Sequence, residues 1–243
     1  MSYSPENLTI SDRYQQLLND LREQELHYQR KAGSVNLVAV TKTHPAAVLR
    51  EAWFAGMRDF GENYVQEALG KIRELSVSGS DTPGIVWHFI GPIQSNKTRD
   101  IAAHFDWVHS VDRLKIAQRL QEQRPVELPP LNVCVQINVS SEDTKSGTDL
   151  EQARELCAAV SNMDRLRLRG LMAIPAPCDD FEQQRAAFRP LAALFRELQQ
   201  QYPTMDTLSM GMTNDYPAAI AEGSTMVRIG SALFGSRPPK QTT

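Results

Sequence analysis

The chain has 243 residues, of which 26 are Lys or Arg and 29 are Asp or Glu, so its formal net charge is −3. This balance excludes the broad basic face with which proteins bind nucleic acid or anionic membranes. The sequence has no apolar run of the roughly 20 residues that span a bilayer, and its polar start lacks the pattern of a signal peptide, so we expect a cytoplasmic protein. The widely spaced Cys134, Cys157 and Cys178 predict reduced thiols rather than disulfides or a zinc site.

Strand and helix patterns alternate along the chain. An amphipathic helix is predicted over residues 6–31, where leucines recur at helical spacing. Eight buried strands are predicted after it, at residues 37–42, 57–63, 85–91, 105–111, 131–140, 166–174, 207–212 and 226–235. Helices are predicted between strands, most clearly at residues 45–56, 149–163, 181–201 and 216–222.

This order of elements predicts the α/β class and, within it, a (β/α)₈ TIM-type barrel with an additional N-terminal helix. The sequence has no Gly/Ser-rich linker that would separate two domains, so residues 1–243 are interpreted as a single domain. A length near the roughly 250 residues of a typical barrel favours this fold. A doubly wound open sheet is the alternative arrangement of the same elements.

The first strand ends in a lysine. Lys42 has the same strand parity as Val38 and Val40, so its side chain is expected to enter the barrel at the carboxyl end, where active sites of such barrels form. Burial there would lower the pKa of the amine and let it form a Schiff base with an aldehyde. Alternatively, Lys42 extends into solvent or pairs with a carboxylate such as Glu62.

Polar residues also occur in or beside other strands, and their shared end of the barrel suggests a site. They are Asn63, His88, Gln136, Asn138 and Ser209. For any one of them taken alone, ordinary hydrogen bonding within the core is the favoured interpretation, and only their shared location points to a site.

The segment SMGMTND at residues 209–215 has the pattern of a phosphate-binding loop. Glycine lets backbone N–H groups approach an anion, Ser209 and Thr213 offer hydroxyl groups, and the following helix presents its positive end. In strand eight, Arg228 precedes Gly230, and the loops after strands seven and eight commonly bind phosphate in barrels. The alternative is that Thr213 caps the helix and Arg228 pairs with Asp215 or Glu222.

A lysine at one side of the barrel mouth and an anion-binding loop at the other together predict a phosphorylated aldehyde as ligand. Pyridoxal 5′-phosphate (PLP) has both groups, an aldehyde for Lys42 and a phosphate for the loop.

Several motifs in the same order resemble the pyridoxal phosphate homeostasis protein family, and the resemblance covers almost the whole chain. They are VTKT at 40–43, FGENYVQE at 60–67, WHFIGP at 87–92, QSNK at 94–97, GLMAI at 170–174, LSMGM at 208–212 and VRIG at 227–230. The resemblance implies a barrel like the N-terminal domain of alanine racemase.

The resemblance also implies roles for individual residues. Lys42 would be the Schiff-base lysine, Ser209, Thr213 and the backbone at Gly230 would hold the phosphate, and Arg228 would lie beside the phosphate or the ring. Asn63, His88 and Met172 would surround the ring. The family commonly has Ser where this chain has Thr213, which keeps the hydroxyl, and often a second basic residue where this chain has His44.

The family's function implies a carrier or regulator of PLP supply with no established catalysis, here expected to be a monomer that keeps the cofactor available to apo-enzymes. The chain ends at Thr243, soon after strand eight, so we expect no second domain to supply an opposing acid or base. The alternatives are a PLP-dependent amino-acid racemase of low activity and, without cofactor, a Schiff-base aldolase.

The remaining basic residues are given no role in the site. Lys97 and Lys145 are expected to be solvated surface lysines rather than a second cofactor site. His27, His104 and His109 form no pattern of metal ligands, so no metal site is predicted.

Overall fold

The computed structural model describes residues 8–76, 82–139 and 146–235, and its eight parallel strands close into one barrel in sequence order. The strands are β1 Asn36–Val40, β2 Asp59–Glu62, β3 Val86–Phe89, β4 Trp107–Val111, β5 Leu131–Ile137, β6 Leu166–Ala173, β7 Thr207–Ser209 and β8 Met226–Ile229. Because β8 pairs with β1, from Asn36 opposite Met226 to Ala39 opposite Ile229, the sheet has no edge. The predicted barrel is confirmed, and the open-sheet alternative is wrong.

The helices surround the barrel, and within the described residues none is both long and apolar enough to cross a membrane. They are α1 Ile10–His27, α2 Ala46–Phe54, α3 Val65–Leu75, α4 Thr98–His104, α5 Leu114–Gln123, α6 Leu150–Ser161, α7 Phe181–Gln201, α8 Tyr216–Ala221 and α9 Ser231–Phe234. The additional N-terminal helix begins later than predicted, because Thr9 caps it: the Thr9 hydroxyl accepts from the Asp12 amide, and the Asp12 carboxylate accepts from the Thr9 amide.

Seven of the eight strands end earlier at the mouth of the barrel than predicted, among them β1, β8 and β5. Strand β1 ends at Val40, so Lys42 lies in the turn that follows it. Strand β8 ends at Ile229, and Ser231–Phe234 form a short helix where the strand was predicted to continue. Strand β5 ends at Ile137, and residue 140, the predicted end, lies outside the described residues.

Alternate strand residues face two separate apolar regions. Inside the barrel, a small cluster contains Val38, Trp107, Cys134, Met172 and Met226. The residues of opposite parity join the much larger core between the strands and the helices, as Ala39 and Phe60 do. This alternation decides which side chains of each strand reach the interior and the mouth.

Gly170 tests how closely the strands pack, because a Cβ atom there would lie 1.6 Å from the backbone oxygen of Thr207. We expect Gly170→Ala to lower the free energy of unfolding by about 3 kcal/mol, since the backbone of β6 or β7 must move. Gly70, in α3, is the control: nothing lies within 4 Å of a Cβ at that position, so Gly70→Ala should raise stability by about 1 kcal/mol. Urea unfolding of both variants measures the difference, and equal effects would contradict the packing described here.

Candidate functional site

A cavity of about 300 Å³ opens at the carboxyl-end mouth of the barrel, where the loops after the strands meet. Five of the residues singled out from the sequence line it: Lys42, Asn63, Thr213, Arg228 and Gly230. They follow β1, β2, β7 and β8 or lie within β8, so the closed sheet brings together residues that are up to 188 positions apart (230 − 42 = 188). The volume is at the lower end of the range for small-molecule sites.

The turn after β1 presents Lys42 to the cavity. The N–H of Thr41 donates to the Gly61 carbonyl at 3.0 Å, which continues the pairing with β2, and the N–H of His44 donates to the Thr41 carbonyl at 3.1 Å. The two residues enclosed by this second bond are Lys42 and Thr43. The Lys42 side chain therefore reaches the mouth from the side of Val40, as its parity predicted.

The Glu62 carboxylate does not face this cavity. Its Oε1 accepts from the Lys71 ammonium at 2.7 Å and from the Thr41 hydroxyl at 2.6 Å, on the helix side of the strands. Burial raises the pKa of Glu62, and the nearby Lys71 opposes that shift. The alternative in which Glu62 serves as the partner of Lys42 is therefore not supported, because Lys71 is the cation that Glu62 binds.

Asn63 is fixed at the end of β2 by close packing. A Cβ atom at Gly91 would lie 2.3 Å from the Asn63 backbone oxygen, so only glycine permits the two segments to touch. The side-chain Oδ1 of Asn63 is buried and has no hydrogen-bond partner among the described residues. A buried acceptor without a donor is costly, so a ligand that brings a donor to this atom would remove that cost.

The hydroxyl groups of Thr213 and Ser231 form the rim between the loops after β7 and β8. The Ser231 hydroxyl donates to that of Thr213 at 3.2 Å. Gly230 lies beside them, where a Cβ atom would be 3.3 Å from the Val40 backbone oxygen and would narrow the cavity. Ser231 was not among the predicted site residues because residues 226–235 were predicted as one strand, although a Gly-Ser pair followed by apolar residues is also a pattern of helix starts.

Arg228 forms the floor of the cavity and is 3% exposed. Its two terminal nitrogens donate to the Ser209 hydroxyl at 2.7 Å and to the Ala173 carbonyl at 3.0 Å. Burial lowers the pKa of Arg228 to about 10, a shift that the nearby Asp215 opposes, so the guanidinium stays charged at neutral pH. A cation thus lies directly beneath the predicted cofactor site.

The carboxylates offered as alternative partners of Arg228 bind other groups. Glu222 accepts from Arg185 at 2.7 Å and from Arg189 at 3.3 Å. Asp215 accepts from the Met212 amide at 2.6 Å. The Thr213 helix cap is also wrong, because α8 begins at Tyr216 with Asp215 as its N-cap residue.

Ser209, His88 and Met172 do not line the cavity; they lie below its floor, inside the barrel. Met172 is fully buried in the inner apolar cluster. The Ser209 hydroxyl is bound by Arg228 from above and lies 2.8 Å from Nδ1 of His109. Direct contact of these three residues with a cofactor therefore has no support in the geometry of the cavity.

A buried chain of hydrogen bonds connects Ser209 to the opposite face of the barrel. His109 Nε2 lies 2.9 Å from His88 Nδ1, and His88 Nε2 lies 2.9 Å from the carboxylate of Asp59, whose side chain is 39% exposed. With both imidazoles neutral, one assignment of hydrogens pairs every member: Ser209 donates to His109, His109 to His88, and His88 to Asp59. Sequence reasoning gave His109 no role because nothing in the sequence links residues on β3, β4 and β7.

The other basic residues singled out from the sequence lie away from the cavity. Lys97 ends a 3₁₀ turn at Ser95–Lys97, His27 packs edge-on against Tyr28, and the His104 ring contacts the Asp100 carbonyl. Lys145 lies outside the described residues. Among the described residues, no group of three or more His, Cys, Asp or Glu side chains is arranged to hold a metal ion.

The chain is similar to known proteins over most of its length. The sequence matches the family model described as alanine racemase, N-terminal domain, over residues 18–238. The pyridoxal phosphate homeostasis protein of Pseudomonas aeruginosa is 57% identical over 229 residues, which cover 94% of this chain and 96% of that protein. The protein of the same name from Escherichia coli strain K12 is 56% identical over 208 residues, which cover 86% and 88%.

Solved structures extend the comparison. PipY of Synechococcus elongatus, solved with PLP bound, matches with a TM-score of 0.79 and 40% identity over 93% of this chain and 100% of that one. Alanine racemase from Corynebacterium glutamicum matches with a TM-score of 0.62 and 18% identity, which shows a shared fold alone, and the match covers 62% of that longer chain.

The buried chain makes a prediction for the pH dependence of stability. Burial is the main cause that lowers the pKa of His109 well below its usual 6.5, and the electrostatic influence of His88 and Arg228 acts in the same direction. Below about pH 6.5 the imidazole of residue 109 therefore binds a proton in the unfolded state but not in the folded state. His109 thus lowers the free energy of unfolding as the pH falls. Between about pH 7.5 and about pH 5.5 this contribution is about 1.4 kcal/mol.

Urea unfolding at both pH values checks this contribution. We expect His109→Gln to remove it, so that the variant loses about 1.4 kcal/mol less than the wild type on acidification. An identical pH dependence in the two proteins would show that His109 is not held neutral.

Proposed function

The chain belongs to the pyridoxal phosphate homeostasis protein family, which carries the alanine racemase N-terminal domain, and from this premise we propose that it binds PLP at the barrel mouth and maintains its supply. The observation that carries the proposal is that one cavity is lined both by Lys42, in the turn after β1, and by the paired hydroxyl groups of Thr213 and Ser231 after β7 and β8. A primary amine and a hydroxyl-lined rim match the aldehyde and the phosphate of one cofactor.

The residues of the cavity fit PLP in three respects. Thr213 and Ser231 can each turn a hydroxyl toward a phosphate, and Gly230 keeps the rim open for it. The unpaired Oδ1 of Asn63 can accept from a hydroxyl group of the ligand. The positive charge of Arg228 at the floor attracts a ligand that is anionic overall.

Lys42 supplies the covalent chemistry in this proposal. Its Nζ, in the neutral form, adds to the aldehyde carbon, a C=N double bond forms, and the aldehyde oxygen leaves as water. Hydrolysis of the Schiff base reverses each change and returns the free amine and the aldehyde. A bond that forms and breaks in this way suits a protein that stores the cofactor and releases it to apo-enzymes.

Arg228 favours storage over catalysis. Its guanidinium stays charged, and its outer nitrogens already donate to Ser209 and Ala173. A pyridine nitrogen that faced this cation would stay unprotonated, which weakens the cofactor as an electron sink. We therefore propose a protein without turnover. We also propose, from the sequence, that it acts in the cytoplasm as a monomer.

A racemase of low activity is the second candidate. Cys178 and Asp179, in the loop after β6, line the same cavity as Lys42, so a thiol and a carboxyl group are available for proton transfer at the mouth. Racemisation needs such a group on the face of the substrate that Lys42 does not serve. Turnover of L-alanine to D-alanine that is lost in both Lys42→Ala and Cys178→Ala would support this candidate.

The proposal predicts which lysine binds the cofactor. We expect borohydride reduction of wild type mixed with PLP to fix the cofactor on Lys42, and Lys42→Ala to reduce total labelling at least about tenfold because the reacting amine is absent. Peptide mass spectrometry locates the label, and Lys97→Ala, which changes a lysine away from the cavity, should label like wild type. Equal labelling of Lys42→Ala and wild type would overturn the assignment.

The rim hydroxyl is tested separately. Thr213→Val keeps the shape of the side chain but removes the hydroxyl, so we expect about tenfold weaker binding of PLP, the cost of one hydrogen bond to a charged group. Binding of pyridoxal, which has no phosphate, should not change. Equilibrium titration of both ligands checks this, and an equal loss for both would place the phosphate elsewhere.

A further inference from the structure

The turn that presents Lys42 contains an unusual backbone conformation. Thr43 has a φ of 68°, and among the described residues only Gln29 and Thr43 are non-glycine residues with positive φ. The turn is closed by the bond from the His44 N–H to the Thr41 carbonyl, which makes Thr43 its third residue. Glycine or asparagine normally occupies that position when φ is positive, and a β-branched side chain there is strained. Strain next to a reactive side chain suggests that the surrounding structure enforces it for function.

A cluster on the helix side of the strands holds both ends of this turn. We call it the α3 clamp, and it consists of Glu62, Glu67 and Lys71. The Lys71 ammonium donates to the Thr41 carbonyl at 2.8 Å, just before Lys42. The Glu67 carboxylate accepts from the Thr43 N–H at 2.6 Å, just after Lys42.

The clamp is internally connected and mostly buried. The Lys71 ammonium also donates to Glu62 at 2.7 Å and to Glu67 at 2.6 Å, so it has three acceptors for its three protons. Lys71 and Glu62 are buried, whereas the Glu67 side chain is 29% exposed. The second oxygen of Glu62 is buried without a partner among the described residues.

Such a cluster is a poor way to gain stability. Removing charges from water costs free energy, and apolar residues of similar size often serve a core equally well or better. What apolar residues at these positions could not do is bind the Thr41 carbonyl and the Thr43 amide. The specific effect of the clamp is therefore on the geometry of the turn between them.

We propose that Glu67 and Lys71 are positioning residues that hold the Lys42 turn in its strained form, so that the amine points into the cavity. They do so from behind the strands and touch no ligand. This inference rests on the proposed function, because it assigns to the clamp the presentation of the Schiff-base lysine.

The test uses Glu67→Ala, since Glu67 is partly exposed and its loss should leave the fold intact. We expect the rate at which PLP and borohydride label Lys42 to fall about tenfold, because the turn relaxes toward an unstrained form. Acetylation of the protein without cofactor gives a second readout. Mass spectrometry follows the acetylation of Lys42 relative to the other lysines, and its dependence on pH should differ between Glu67→Ala and wild type. Glu67→Gln keeps an oxygen that accepts from Thr43 and should stay near wild type.

A glycine rescue separates positioning from general weakening of the fold. Glycine adopts positive φ without strain, so Thr43→Gly in the Glu67→Ala background should recover most of the lost labelling rate. A loss that came from a weakened fold would not respond to this change. Absence of rescue would overturn the inference.

Glu25 provides a matched control at the other end of β1. It is buried, and its carboxylate accepts from the backbone amides of Gly33 and Val35 at 2.7 and 2.6 Å, so it also holds a loop. We expect Glu25→Gln to affect unfolding and leave Lys42 labelling unchanged. If Glu67→Ala labels Lys42 at the wild-type rate, the inference fails while the proposed function stands. If wild type itself gives no label on Lys42, the proposed function fails.

Discussion

Closure of eight parallel strands into a barrel creates an interior that alternate residues of each strand must fill, and the positions of Lys42, Arg228 and Gly230 in the cavity follow from that constraint. On β1, Val38 and Val40 face inward, so Lys42 reaches the mouth from the same side. On β8, the same alternation places Arg228 at the floor and Gly230 at the rim. A shift of either strand by one residue would exchange these side chains with the apolar residues that face the helices.

A charged floor requires an interior that can accommodate it. Arg228 lies next to an apolar cluster in which burial raises the pKa of the Cys134 thiol to about 12, so that thiol stays protonated and inert. The buried guanidinium is tolerated because the Ser209 hydroxyl and the Ala173 carbonyl accept hydrogen bonds from it. Ser209 is bound in turn through two histidines to a carboxylate at the opposite face, so the polar groups of the interior satisfy one another instead of occupying the cavity.

The sequence predicted the parts of this arrangement that depend on periodicity within one segment. The eight strands, the inward parity of Lys42 and the hydroxyl of Thr213 after β7 all follow from local patterns. It did not predict contacts between segments that are remote in sequence. The Lys71 ammonium in α3 donates to the Thr41 carbonyl in the turn after β1, 30 positions earlier in the chain. A positive φ at a β-branched residue such as Thr43 is contrary to local preference. Ser209 was assigned to the phosphate because its segment suits an anion, whereas Arg228 binds its hydroxyl below the floor.

The central claim is that one cavity binds both ends of PLP, with Lys42 at the aldehyde and the Thr213–Ser231 rim at the phosphate. A crystal structure of the protein grown with PLP tests this most directly. The account predicts continuous electron density from Lys42 Nζ to the cofactor and a phosphate within hydrogen-bond distance of both rim hydroxyl groups. Density for the cofactor on another lysine, or a phosphate away from this rim, would contradict it.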